Sequence, residues 1–142
     1  TNGPVVYDDM ETSVPGVFAC GNVVQVHDLV DFVSEEGERA GRAAARFAAG
    51  AYEPEDAVEV EPGEGVSYVV PQRLRRTGGE DVTLFFRVRT PCRRGELVVR
   101  DGEREICRKK RLYMTPGEME KLPVPRAAVR NAGRLTVSME RT

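Results

Sequence analysis

No stretch of the chain approaches the ~20 consecutive apolar residues that a membrane-crossing helix requires, so membrane-embedded function classes are set aside at once. Cysteine is scarce. Cys20, Cys92 and Cys107 are three in number and widely spaced, which excludes a disulfide framework and a zinc knuckle and points to a reducing, cytoplasmic home. Cys92 and Cys107 have no neighbouring Cys or His, so no metal site is expected. There is a single histidine, His27. An initiator Met and a basic-then-apolar leader are both missing, so the expectation is that Thr1 begins an excised piece of a longer protein. Internal repeats and low-complexity tracts are absent as well.

What is present is the composition of a soluble globular protein, with 40% apolar and 31% charged residues over 142 positions, room for one ordinary domain or a small domain plus a remnant. The formal net charge of −2 is the difference of two opposed halves. Residues 1–65 hold 14 Asp/Glu against 3 Arg, and residues 66–142 hold 9 Asp/Glu against 18 Lys/Arg. A shift of that size predicts a domain boundary near residue 65.

Along the chain, Gly3-Pro4 is a breaker before a short extended run at Pro4–Tyr7, and Pro15-Gly16 is a turn before Val17-Phe18-Ala19-Cys20, an apolar run of the length of a buried strand. From Leu29 to Ala49 apolar and small residues recur at three- and four-residue steps, including Phe32, Val33, Glu36/Gly37, Ala40/Gly41, Ala44 and Phe47/Ala48. Acidic residues come early in this helix and arginines late, as the macrodipole favours, and Gly50 is its expected C-cap. Gly37 and Gly41 lie one turn apart, which predicts close packing on that face. Residues 51–65, rich in Pro, Gly and acidic side chains, read as a solvated linker. Beyond it the period becomes two. Val66–Val70, Val82–Arg89, Glu96–Arg100, Glu103–Arg108 and Arg134–Met139 read as strands, with a hairpin at Asp101-Gly102. Val82, Leu84, Phe86 and Val88 share a core face that Phe85 does not fit. The expected domain over 66–142 is a small antiparallel β-sandwich or barrel.

The segment Thr12-Ser13-Val14-Pro15-Gly16-Val17-Phe18-Ala19-Cys20-Gly21-Asn22, followed by the helix, resembles the second flavin-binding motif of the pyridine nucleotide-disulfide oxidoreductases, flavoproteins with two dinucleotide-binding domains. The resemblance covers residues 1–50. It implies an α+β chain in which short strands and one long helix remain from a Rossmann-like FAD domain, with the β domain appended. The family's glycine-rich phosphate loop and its redox cysteine pair are not in this sequence.

The resemblance also assigns a cofactor site. Gly21 permits close backbone approach, and Asn22 stands where the family usually has Asp, keeping a hydrogen-bonding contact to the ribityl chain without the anionic charge. The first-turn amides near Asp31 and Phe32, at the positive end of the helix, would stabilise negative charge on the reduced flavin ring. His27 lies near where the family places the reactive face of the ring. A neighbouring carboxylate would suit it to proton transfer, and the alternative reading is a loop histidine that orients the segment. Cys20 reads as inert buried packing.

The expected activity is thus that of a parent oxidoreductase, FAD-dependent and NAD(P)-linked, with the piece alone inactive and not retaining FAD. Its expected partners are the parent's own N-terminal flavin and nicotinamide domains, a second copy through dimerisation or domain swapping, or a redox protein. The competing class is a non-enzymatic binding module. Arg73, Arg75, Arg76, Arg87, Arg89, Arg93, Arg94 and Arg108-Lys109-Lys110-Arg111 could track nucleic acid, but their alternation reads rather as a solvated face that meets the acidic half or a partner subunit.

Overall fold

The computed structural model describes residues 1–51, 56–78 and 80–142. Its elements in chain order are a 3-10 turn at Gly21–Val23, α1 (Val30–Ala48), β1 (Ala57–Pro62), β2 (Val66–Val70), β3 (Arg73–Arg75), β4 (Val82–Val88), β5 (Cys92–Asp101), β6 (Arg104–Met114), β7 (Glu120–Val124), α2 (Arg126–Arg130) and β8 (Arg134–Arg141). The strands form a five-stranded sheet in the order β3-β1-β8-β5-β6 and a three-stranded sheet in the order β2-β4-β7. The α+β class is as expected. Among the described residues no helix is long and apolar enough to cross a membrane.

The inner faces of the two sheets share one core, to which β1 contributes Val58, β4 Leu84 and Phe86, β5 Leu97 and Val99, and β8 Leu135 and Val137. The period-two pattern of β4 holds, with Val82, Leu84, Phe86 and Val88 all buried. The β5–β6 hairpin turns through Gly102 and Glu103, with Asp101 paired to Arg104. Gly102 has φ 60°, and the first loop position of a II′ turn is where glycine is required.

Residues 51–65 are not a solvated linker throughout, because residues 57–62 form β1; residues 52–55 lie outside the described residues. Val58 and Val60 alternate with Glu59 and Glu61, and the valines enter the core. The two carboxylates are paired rather than merely solvated: Arg73 Nε lies 3.1 Å from Glu59 Oε1, and Arg134 reaches Glu61 at 3.0 Å. Strand β1 also runs parallel to β8, so the sandwich is not wholly antiparallel. Strands β3 and β7 and helix α2 were not expected from the sequence. In β7, Glu120, Leu122 and Val124 point inward, and Pro123 is tolerated because β7 is an edge strand, where a missing N–H is cheap.

The N-terminal segment forms only isolated bridges, Val6 with Thr12, Tyr7 with Arg73 and Glu11 with Phe18. Val17 to Cys20 is therefore not the buried strand anticipated: Val17 and Cys20 are exposed, since no sheet flanks them. A second, smaller core of Val6, Met10, Val24, Ala40 and Val70 joins this segment to α1 and β2. Helix α1 falls within a residue of its expected bounds, and Gly50 takes φ 78° just beyond it. The close packing anticipated at Gly37 and Gly41 is not seen, as a Cβ at either would meet nothing within 4 Å.

Opposite charges join the two halves. Arg75 donates to Asp9 (2.9 Å) and Glu11 (2.9 Å), Arg126 to Asp8 (2.8 Å), and the Arg75 guanidinium lies 4.3 Å from the centre of the Tyr7 ring. Burial opposes the Arg75 charge, but Asp9 and Glu11 outweigh it and hold the side chain more firmly protonated than an ordinary arginine.

Candidate functional site

The loop from Gly21 to Leu29 leads into the amino end of α1, and one buried carboxylate organises it. Glu36, on the inward face of α1, accepts the Gly21 N–H through Oε1 at 2.8 Å and the Gln25 side-chain amide through Oε2 at 3.2 Å. Its Oε2 also lies 2.8 Å from His27 Nε2. That distance is one of an ion pair when the imidazole is protonated, but the N–H direction does not make it a hydrogen bond, and His27 Nδ1 has no partner among the described residues. The His27 side chain is 1% exposed.

Gly21 is buried with φ 78°. A Cβ there would lie 3.5 Å from Val33 Cγ1, an ordinary contact, so backbone conformation rather than space calls for glycine. The Gly21 carbonyl accepts the amides of Val24 (3.0 Å) and Gln25 (3.3 Å), which closes the turn. Asn22 is exposed beside it, and its Oδ1 accepts the His27 backbone N–H at 3.4 Å.

Asp31 is exposed in the first turn of α1. Leu29, at the N-cap, offers no side-chain acceptor, and the amides of Val30 and Asp31 find none among the described residues. The Phe32 amide, by contrast, donates to Leu29 O at 3.2 Å. The free donors are thus at 30 and 31 rather than 31 and 32. Val23, Val26, Leu29 and Val30, in the loop and first turn that begin this helix, are each more than half exposed.

Phe32 turns its ring the other way, 5.8 Å from Phe85 on β4, with Lys121 Nζ 5.0 Å from its centroid and the His27 ring 6.4 Å away. This explains the misfit of Phe85: β4 is covered on both faces, by the sandwich core on one and by the loop and helix end on the other. Arg87, two residues on and on the same outer face, donates to Val26 O (3.0 Å) and Asp28 Oδ1 (2.7 Å). The other Asp28 oxygen accepts the Met119 N–H at 2.7 Å. Burial alone would raise the Asp28 pKa, yet the Met119 amide and the Arg87 guanidinium outweigh it and hold the carboxyl below its usual value.

The structure therefore gathers Gly21, Asn22, His27 and the 30–32 turn at one place. Sequence reasoning missed Glu36, Gln25 and Arg87 as members of it. Glu36 carried the one available signal, a carboxylate on the otherwise apolar stripe of α1, because such a group is buried only with partners. Of the basic residues, Arg73, Arg75, Arg76 and Arg87 pair with Glu59, with Asp9 and Glu11, with Asp56 and with Asp28.

A cleft of about 680 Å³ is lined by Asp8, Arg39, Arg42, Glu80, Asp81 and Arg126 among others, and includes none of Gly21, Asn22, His27, Phe32 and Glu36. Within it Arg126 is held by Asp8 and Arg42 by Glu38. The Gly21–Phe32 segment holds, within twelve residues, two helix-end amides without a partner among the described residues, the exposed Asn22 side chain and several exposed apolar residues. No protein-family model, curated protein or solved structure matches the chain.

Proposed function

We propose that the chain is part of an FAD-dependent, NAD(P)-linked oxidoreductase and supplies the ribityl and pyrimidine side of its flavin site. The observation that carries this reading is the positive-φ Gly21 turn with Asn22 exposed on it, set against the uncapped amino end of a 19-residue helix. The residues suit the group. The Asn22 side-chain amide, which has no partner among the described residues, suits a ribityl hydroxyl. The Val30 and Asp31 amides, with the helix dipole behind them, favour negative charge at the pyrimidine edge. Val23, Val26 and Leu29 offer apolar surface to a planar ring.

When bound, a flavin supplies acceptance and release of a hydride or electron pair through its N5. His27, buried against Glu36, orients the loop in this arrangement, and proton delivery by it would require the loop to open. Without a glycine-rich loop for the pyrophosphate, the 142 residues alone are inactive and do not retain FAD.

The product of the complete open reading frame that contains Thr1–Thr142 tests this. It should purify with one bound flavin per chain and carry upstream a strand, a Gly-x-Gly-x-x-Gly turn and a helix. A product free of flavin that does not take up FAD overturns the reading; stoichiometric retention of FAD by residues 1–142 alone overturns only the expectation that these residues do not hold it.

A further inference from the structure

The outer face of the β2-β4-β7 sheet is a platform for the candidate flavin loop. Across it Tyr68 pairs in register with Arg87, and Phe85 with Lys121. Arg87 uses its whole guanidinium: Nε donates to Tyr68 Oη at 3.1 Å, one terminal nitrogen to Gly117 O at 2.9 Å, and the other to Val26 O and Asp28 Oδ1. The two residues that flank His27 are thus held by one side chain from the β domain. Phe85 closes the same face edge-on to the His27 imidazole, at 6.4 Å and 78° between the rings.

Such a fork is not a generic surface ion pair. The Arg87 side chain is 15% exposed and Asp28 33%, and the second Asp28 oxygen is taken by the Met119 amide in the chain between β6 and β7. Charge-assisted bonds of this kind are shorter and stronger than neutral ones, and a planar guanidinium makes several at once where an ammonium cannot. Asp28 adjoins His27, whose Nε2 lies 2.8 Å from Glu36 Oε2, and Glu36 Oε1 accepts the Gly21 amide of the turn bearing Asn22.

We propose that Arg87 is a positioning residue for the flavin site, through which the β domain fixes the 21–32 loop and the amino end of α1. The β domain then has a stated role, as the wall that keeps Asn22 and the free amides of α1 in one place. This role rests on the flavin reading for its meaning, but its geometry stands in the chain alone, so its test contains no flavin and can fail independently.

The test compares the 142-residue chain with Arg87→Gln, Arg87→Lys and Asp28→Asn. Amide hydrogen exchange is followed at Gly21, Val24, His27 and Met119, with β5 and β8 as internal controls. The proton resonances of the His27 ring, the only imidazole in the chain, report its ring-current shift from Phe85 and Phe32. Arg87→Gln should speed exchange in the loop by about tenfold or more, leave the controls unchanged, and move the imidazole resonances toward free-histidine values. Arg87→Lys should recover only part of the effect, since one ammonium cannot span Tyr68, Gly117, Val26 and Asp28. Asp28→Asn, outside both sheets, should loosen the loop in the same pattern. Equal acceleration in β5 and β8 would make Arg87 a residue of the global fold and overturn the proposal; so would unchanged imidazole resonances, or full recovery by lysine.

Discussion

The amide of Gly21 donates to Glu36 Oε1 at 2.8 Å across fifteen residues of sequence, so a loop turn and the inward face of α1 are tied by a single buried carboxylate. Glu36→Ala should leave the Gly21 N–H and the Gln25 amide unsatisfied, at a combined cost of about 2–4 kcal/mol. Glu36→Gln, which keeps an acceptor, should cost less. Denaturant midpoints at constant slope check both.

Glycine has opposite meanings at two sites. Gly21→Ala forces a side chain into φ 78° and should destabilise by about 1–2 kcal/mol although its Cβ would make only an ordinary contact with Val33. Gly41→Ala, in the interior of α1 with nothing within 4 Å, should stabilise by about 0.5–1 kcal/mol. Thermal melts of the two variants should shift in opposite directions.

Asp28 confers an acid-side dependence. Its carboxyl, pushed up by burial but held lower still by Met119 N–H and Arg87, has a folded pKa below its unfolded one. The unfolded chain therefore binds the proton more readily in acid. The contribution is complete above about pH 4, the unfolded range for Asp, and is lost as pH falls through the depressed folded value. Urea midpoints taken down that range should fall less steeply for Asp28→Asn than for the parent chain.

Strand β1 is tested by its core residues. Val58 is fully buried, and Val58→Ala should cost roughly 2 kcal/mol from lost transfer energy and the residual cavity. In a solvated linker the same change would stay within about 0.5 kcal/mol. Equilibrium unfolding tells the two apart.

The three thiols should alkylate in a fixed order at neutral pH. Cys20 is exposed and should react first; Cys107 is half-buried, with burial and then Glu105 pushing its pKa up; Cys92 is buried and should react last. Mass mapping after a timed iodoacetamide pulse reads the order.

The elements that were legible before folding are those whose signal is local. The 3.6-residue recurrence of α1, the alternation in β4 and the Asp101-Gly102 turn each depend on a few neighbouring residues, and each falls within a residue or so of its expected place. Strand β1 was hidden by its own charges. Glu59 and Glu61 look like solvating residues until Arg73 and Arg134, far along the chain, are set beside them. Val17 and Cys20 failed in the other direction: an apolar run is buried only where a neighbouring sheet covers it, and here none does.

By itself, then, the order of residues determined that the chain is α+β, where its long helix lies, that Gly21 sits at a turn before that helix, and that its two halves carry opposite charge. Tertiary structure alone decided that Glu36 is the acceptor behind Gly21, that the His27 side chain is buried, and that Arg87 reaches from β4 to hold Asp28. The physical reason is one of range. Periodicity and turn chemistry are set by residues a few positions apart, whereas hydrogen bonds and ion pairs are made by whichever groups the packed sheets bring within about 3 Å, however distant in sequence.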